Sequence, residues 1–136
     1  MPVDLIGKVA IVTGGGSGIG RGIARALAKS RATVVVAGRT AATLDDAARE
    51  IDELGGRGLS VVTDIREPEQ LSNLVDRTVD AFGGIDVLVN NAQTGAHGLL
   101  LDQTDKQMET IWRAGPFAVF RLMNLVHPHM KARGGA

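Results

Sequence analysis

The 136-residue sequence contains no cysteine and no tyrosine. The lack of cysteine excludes disulfide bonds, thiolate metal sites and a cysteine nucleophile. The lack of tyrosine excludes any mechanism in which a phenol of this chain acts as general acid or base. These two absences limit the chemistry that the chain can perform by itself.

Net charge and long apolar runs are also missing. The 15 basic residues equal the 15 acidic ones, so charge gives no reason to expect a nucleic-acid or membrane-surface partner. No apolar run has the length of a membrane span, and the N-terminus lacks the basic and apolar regions of a signal peptide. We expect a cytoplasmic protein. Since 44% of the residues are hydrophobic, a disordered chain is excluded.

Glycine, in contrast, is abundant. The chain has 18 glycines in 136 residues, well above the usual level of about 7%. Glycines in excess indicate tight turns or a close approach of the backbone to another group. The length fits a single domain, residues 1–136, with one hydrophobic core.

Strand and helix patterns alternate along the chain. Short apolar runs predict buried strands at 8–13, 33–37, 59–62 and 85–89. Amphipathic periodicity predicts helices at 19–30, 44–54 and 68–82, and a fourth helix after Thr104 that breaks at Gly115-Pro116. Thr104 and Gln107 have the spacing of a capping box. This order predicts an α/β, Rossmann-like doubly wound parallel sheet of about four βα units, with strand order 3-2-1-4.

The predicted sheet lacks a strand beyond the fourth. In the order 3-2-1-4 the apolar strand at 85–89 becomes an exposed edge, which is a liability in a finished domain. The last residues, Gly134-Gly135-Ala136, have the composition of a turn before another element. We therefore expect an incomplete domain.

A glycine cluster at residues 13–20 lies between the first strand and the first helix. Glycines there allow the backbone to approach a pyrophosphate, which the helix N-terminus attracts. The spacing is G-x-x-x-G-x-G rather than G-x-G-x-x-G, and Arg21 and Gly22 stand where a P-loop needs Lys and Ser or Thr. The alternative is a glycine-rich turn without a ligand.

Three motifs follow three strands in a defined order. They are Thr13-Gly14-x-x-x-Gly18-Ile19-Gly20 after the first strand, Asp64 after the third and Asn90-Asn91-Ala92 after the fourth. With these motifs the sequence resembles the short-chain dehydrogenase/reductase family over essentially its whole length. The family implies an oxidoreductase that transfers hydride between a nicotinamide dinucleotide and a carbonyl or alcohol substrate.

The resemblance implies a role for each matched residue. The pyrophosphate turn would be lined by Gly14, Gly18 and Gly20, with the backbone of Ser17 and Ile19 nearby. Asp64 would accept a hydrogen bond from the adenine amino group, with the Ile65 backbone beside it, or it would cap the next helix. Asn90 and Ala92 would approach the cofactor ribose, and Asn90 could also bond to neighbouring backbone of the sheet.

The end of the second strand indicates which dinucleotide is bound. NAD-binding proteins of this architecture carry a carboxylate there for the ribose 2′-hydroxyl, but this chain has Gly38-Arg39-Thr40. An uncharged Gly38 does not repel a 2′-phosphate, and Arg39 can pair with it bidentately. The sequence therefore favours NADP, with NAD as the alternative and a solvated Arg39 as the structural explanation.

The catalytic part of the family pattern is not matched. The family uses a helical Asn, a Ser after the fifth strand and a Tyr-x-x-x-Lys segment, and we assign no catalytic residue in this chain. Trp112 stands at the helical Asn position, or packs in the core, and Gln93 replaces a glycine. His97, His127 and His129 do not have zinc-site spacing, so no metal site is predicted.

These observations predict the NADP(H)-binding half of a short-chain dehydrogenase/reductase, inactive as this chain alone. We expect a homo-oligomer, because the helix at 117–130 commonly pairs with its copy in the family. The alternative is a non-catalytic truncated module that acts through association with another subunit. A different mononucleotide binder is a weaker third reading, since the Walker lysine is missing. The substrate is not identified by any residue.

Overall fold

A computed structural model of the chain describes residues 3–95 and 97–135. The strands are β1 (Val9–Thr13), β2 (Thr33–Gly38), β3 (Arg57–Val62) and β4 (Val87–Val89). The α-helices are α1 (Gly18–Lys29), α2 (Ala41–Glu53), α3 (Pro68–Phe82), α4 (Asp105–Ala114) and α5 (Pro116–Ala132), with a short 3-10 helix at Leu100–Asp102. The predicted alternation of strands and helices is confirmed.

The four strands form one parallel sheet in the order β3-β2-β1-β4. The predicted order 3-2-1-4 is therefore correct. In β1, Val12 is level with Val36 of β2 and with Val89 of β4. The chain therefore leaves three neighbouring strands at similar heights, and the loops that follow them meet at the carboxyl edge of the sheet.

Helices cover both faces of this sheet. Ile11 of β1 belongs to the cluster beneath α3 and α5, whereas Val12 belongs to the cluster beneath α1 and α2. Residues 34–37 of β2 are fully buried, because both faces of a doubly wound sheet pack against helices. This burial explains why the predicted strands are continuous apolar runs rather than alternating patterns.

The helical region after Thr104 is interrupted between α4 and α5, as the sequence predicts. Thr104 and Gln107 form a complete capping box at the start of α4, in which the Gln107 N–H donates to Thr104 Oγ1 over 3.2 Å and Gln107 Oε1 accepts from the Thr104 N–H over 2.8 Å. Gly115 separates the two helices, and Pro116 occupies the first turn of α5, where its missing N–H costs no hydrogen bond. Among the described residues, no helix combines the length and apolar character needed to cross a bilayer.

The edge strand β4 is shorter than predicted. It contains only Val87–Val89, each residue half-buried, while Ile85 is fully buried just before it. An edge strand has a ladder on one side only, and here β1 supplies it. The predicted apolar edge is thus present, but it is three residues long and partly covered.

An ion pair closes the opposite, amino-terminal edge of the sheet. Asp86 Oδ2 accepts from the Val9 N–H over 2.8 Å and from Arg133 Nη2 over 2.9 Å. Burial raises the pKa of the Asp86 carboxyl, but the bonds from Arg133 and the Val9 N–H outweigh it, and the pKa lies below the ordinary value. The end of α5 is thereby tied to β1 and β4, away from the carboxyl edge.

Candidate functional site

An open cleft of about 420 Å³ lies at the carboxyl edge of the sheet. In open α/β sheets this edge, at the point where the strand order reverses, is where ligands bind. The residues that line it are Gly14, Gly16, Ser17, Ile19, Gly38, Arg39, Thr40, Thr43, Leu44, Thr63, Asp64, Ile65, Arg66, Asn91, Ala92, Gln93, Thr94 and Ala114. Seven of the ten residues predicted for the site are among them; Gly18, Gly20 and Asn90 are not.

The glycine-rich loop forms one wall of the cleft. Gly14 has a φ of +65°, a conformation that only glycine adopts without strain, and its N–H donates to the Ala37 carbonyl over 2.8 Å. The chain then enters α1 through Ser17, and the first N–H groups of a helix have no partner within it. Ser17 and Ile19 of this helix start line the cleft, and free N–H donors together with the positive end of a helix dipole can attract an anion.

Asn91 connects the ends of β1 and β4. Its Nδ2 donates to the Thr13 carbonyl over 3.1 Å, and the backbone N–H groups of Asn91 and Ala92 donate to Thr13 Oγ1 over 3.1 and 2.9 Å. Among the described residues the Asn90 side chain forms no such bond and is exposed. The sheet-stabilising role that the sequence suggested for Asn90 is therefore filled by Asn91.

The end of β2 supplies a basic side chain and no carboxylate. Arg39 is exposed and lines the cleft together with Thr40 and Thr43. The two nearest carboxylates in the sequence point elsewhere, since Asp45 accepts from the Ser60 hydroxyl and Asp46 pairs with Arg49. Of the described residues that line the cleft, only Arg39, Asp64 and Arg66 are charged, so its lining carries a net positive charge.

The loop after β3 places Asp64 and Ile65 at the far end of the cleft. Arg66 donates from Nη2 to Asp64 Oδ2 over 2.7 Å. This side-chain bond from Arg66 lowers the pKa of the Asp64 carboxyl to about 2, although burial opposes the shift. The suggested helix-capping role of Asp64 is wrong, because the N-cap of α3 is Glu67. The sequence does not predict a role for Arg66, because an arginine two residues after an aspartate is common and only the loop conformation brings the two side chains together.

The other end of the cleft lies beneath the start of the loop after β4. Gln93 and Thr94 are exposed and line the cleft, and Ala114 reaches it from the end of α4. Trp112 is 52% exposed, with its ring centroid 6.3 Å from that of Phe117. The core position suggested for Trp112 is therefore wrong, and the ring belongs to a surface shared by α4 and α5.

The three histidines lie outside this cleft. His97 lines a separate shallow depression of about 310 Å³ with Lys106, and His127 is exposed on α5. Within residues 3–95 and 97–135, no group of three or more potential metal-ligating side chains comes together. The chemistry of the cleft is thus that of glycine backbone, helix N-terminus, guanidinium and carboxylate.

Comparisons with known proteins point to one family. Residues 8–136 match the family model described as short chain dehydrogenase. The chain is 36% identical over 130 residues to the ketoacyl reductase HetN of Nostoc, covering 96% of this chain and 45% of that protein. It is 37% identical over 131 residues to the 7alpha-hydroxysteroid dehydrogenase of Escherichia coli K12, covering 96% of this chain and 51% of that protein.

Solved structures agree with the fold. The crystal structure of L-sorbose reductase from Gluconobacter frateurii, complexed with NADPH and L-sorbose, superposes with a TM-score of 0.94 at 38% identity, covering 100% of this chain and 52% of that one. A hydroxysteroid dehydrogenase from Escherichia coli gives 0.92 at 36% identity, covering 98% of this chain and 56% of that one. The chain thus spans about half the length of these relatives.

Proposed function

Because the chain belongs to the short-chain dehydrogenase family, we propose that its cleft binds NADP(H) for an oxidoreductase. In the whole protein the cofactor would exchange a hydride with a small carbonyl or alcohol substrate. The observation that carries this proposal is the convergence of the glycine-rich loop, Arg39 and Asp64 on one cleft. The NADPH complex of the L-sorbose reductase, which superposes over all of this chain, supports the same cofactor class.

The pyrophosphate would lie against the N-terminus of α1. Ser17 and Ile19 line the cleft at this point, and the first-turn N–H groups are free to donate to phosphate oxygens. No described carboxylate lines the cleft on this side, because Asp64 lies after β3 at the other end. Neither Gly18 nor Gly20 lines the cleft, so both would act indirectly rather than by contact with the phosphates. Gly18 provides a φ of +54° at the start of α1, and Gly20 allows the Gly14 carbonyl to pack closely against the helix.

The adenine would lie between the ends of β2 and β3. The carboxylate of Asp64 is an acceptor for the 6-amino group, and the Ile65 N–H is a donor for a ring nitrogen. Neither Asp64 oxygen caps a helix, since the N-cap of α3 is Glu67. The Ile65 N–H has no acceptor among the described residues. One acceptor and one donor on consecutive residues match the edge of adenine.

The choice of NADP over NAD depends on Arg39. Gly38 carries no side chain to repel a phosphate, and the exposed guanidinium of Arg39 follows it directly at the cleft. A guanidinium binds phosphate through two parallel hydrogen bonds with charge assistance. We infer that Arg39 receives the 2′-phosphate and that NAD, which lacks this group, binds more weakly.

The nicotinamide end of the cleft has fewer identifiable groups. We propose that Ala92 and Asn90 approach the nicotinamide ribose, with Gln93 and Thr94 lining the space beyond. When bound, the nicotinamide supplies or accepts the hydride. The 136 residues include no tyrosine, so this chain has no phenol to exchange a proton with the substrate oxygen, and we propose that it binds cofactor without turnover.

A titration of the chain with NADPH and NADH tests this function. We expect saturable binding of both, with NADPH at least about tenfold tighter, because a charge-assisted pair with a phosphate adds roughly 1.5–3 kcal/mol. Calorimetry provides both affinities. If neither nucleotide binds at millimolar concentration, the proposed function is contradicted. A preference for NADH would contradict the role of Arg39.

A second candidate function, self-association, is favoured by the surface of α4 and α5. We define the α4–α5 patch as Trp112, Phe117, Phe120 and Met123, all of which are at least half exposed. Contiguous exposed apolar side chains of this size are typical of interaction sites. We propose that a second copy of the chain covers this patch.

Sedimentation velocity distinguishes this association from a monomer. We expect the chain to sediment as a dimer or larger species, and Phe120→Asp to shift it towards monomer, because a charge in an apolar contact must be desolvated. Leu101→Asp is the matched control, since Leu101 is 95% exposed in the 3-10 helix, outside the patch. A sharp monomer peak for the unmodified chain would exclude the association.

A further inference from the structure

The Asp64 carboxylate is bound on two sides by one residue, Arg66. Arg66 Nη2 donates to Oδ2 over 2.7 Å, and Arg66 Nε donates to Oδ1 over 3.0 Å. The backbone N–H of Arg66 also donates to Oδ1, over 3.0 Å. Both side chains are partly buried, with 33% of Arg66 and 20% of Asp64 exposed. The carboxylate therefore has a defined orientation within the cleft.

Counting lone pairs shows what this arrangement leaves available. A carboxylate offers about four acceptor positions on its two oxygens. Oδ1 receives two donors, whereas Oδ2 receives one close donor and a longer contact of 3.3 Å from Nε. The single Nε hydrogen is shared between Oδ1 and Oδ2, so Arg66 supplies three hydrogens to four acceptor positions. The position that remains belongs to Oδ2, whose one close donor is Arg66 Nη2, and both Asp64 and Ile65 line the cleft.

The rest of the loop is braced so that this orientation persists. The Asp64 N–H donates to Gln70 Oε1 over 2.7 Å. On the other side, Arg113 of α4 donates to the Arg66 carbonyl over 3.4 Å and to Glu67 Oε1 over 3.1 Å. The loop is thus held by α3 and α4, and among the described residues only Arg66 donates a hydrogen bond to the carboxylate itself.

We propose that Arg66 is a positioning residue of the adenine site, which turns the Asp64 carboxylate so that one lone pair of Oδ2 faces the adenine amino group. This inference rests on the proposed function, because it requires a dinucleotide in the cleft. Two other roles make different predictions. A guanidinium that competed with adenine for the carboxylate would weaken binding, and one that only stabilised the loop would affect all dinucleotides equally.

The test compares NADPH with an analogue in which purine replaces adenine and only the 6-amino group is lost. We expect the unmodified chain to prefer NADPH by about tenfold, the value of one hydrogen bond to a charged acceptor. Arg66→Ala is expected to weaken NADPH about tenfold and to leave the analogue within about twofold, so that the preference disappears. Arg66→Lys, which keeps the charge but loses the fork, should restore part of the preference.

Arg113→Ala is the matched control, since it removes a neighbouring arginine that braces the loop without touching Asp64. We expect it to leave the preference for the amino group unchanged, and thermal unfolding of each variant verifies that it is folded. Equal weakening of both nucleotides by Arg66→Ala, or tighter NADPH binding, would overturn the inference while leaving the proposed function intact. If the unmodified chain binds neither nucleotide, the proposed function fails as well.

Discussion

Replacing Arg39 with alanine is expected to weaken NADPH binding about a hundredfold and to change NADH binding by less than about threefold. The guanidinium is exposed at the cleft directly after Gly38, so it can reach a 2′-phosphate without a change in the backbone. A bidentate guanidinium–phosphate pair combines charge with two hydrogen bonds, which together are worth about 2–3 kcal/mol here. NADH has a hydroxyl in that position and loses little.

The affinity ratio between the two nucleotides, measured by calorimetry, is the decisive quantity for Arg39. Arg39→Lys should give an intermediate ratio, because an ammonium retains the charge but not the fork. Arg49→Ala is a suitable control, since Arg49 lies on α2 and pairs with Asp46 outside the cleft lining. Equal losses for NADPH and NADH in Arg39→Ala would mean that Arg39 does not contact the 2′-phosphate.

The two arginines that line the cleft, Arg39 and Arg66, differ in whether a carboxylate already binds them. Both guanidiniums line the cleft, but Arg66 is already paired with Asp64, whereas Arg39 has no carboxylate partner among the described residues. A paired guanidinium has less to gain from a new anion than an unpaired one. We therefore assign the phosphate to Arg39 and the orientation of the adenine acceptor to Arg66.

The fold could be predicted from the sequence because each element carries its own signal. Burial on both faces makes the strands apolar runs, and the amphipathic stripes and the Thr104–Gln107 capping box define the helices. The strand order agrees with the prediction as well. Only the boundaries shifted: α2 begins three residues before its predicted range, β3 begins two residues earlier and β4 two residues later than predicted. The limits of β4 depend on β1, because an edge strand pairs on one side.

The details of the candidate site depend on pairings that no single segment contains. Whether Asn90 or Asn91 bonds to β1 is decided by the register, which sets Val89 beside Val12 and so brings Asn91 to Thr13. The Asp64–Arg66 fork requires a loop conformation with no periodic sequence signal. The core position predicted for Trp112 is wrong: large apolar rings are buried on average, but this ring belongs to an exposed patch.

Replacing Gly20 with alanine is expected to lower the free energy of unfolding by about 3–5 kcal/mol and to abolish nucleotide binding. A Cβ at this position would lie 2.1 Å from the Gly14 carbonyl oxygen and 2.5 Å from Asn91 Nδ2. Moving either atom costs stability, because the Gly14 oxygen belongs to the backbone of the glycine-rich loop and Asn91 Nδ2 donates to the Thr13 carbonyl. The start of α1 must therefore move away from β1, and the anion site at its N-terminus moves with it.

Gly22→Ala is the matched control, two residues further along the same helix. Apart from its chain neighbours and the backbone of α1 itself, no atom of the described residues lies within 4 Å of a Cβ built at Gly22, and the residue is exposed. Alanine there should raise the free energy of unfolding by about 0.5–1 kcal/mol, since glycine loses more backbone entropy in a helix. Urea unfolding followed by circular dichroism measures both variants. Opposite signs are expected, and equal stability of the two variants would show that α1 does not pack against the loop as closely as Gly20 indicates.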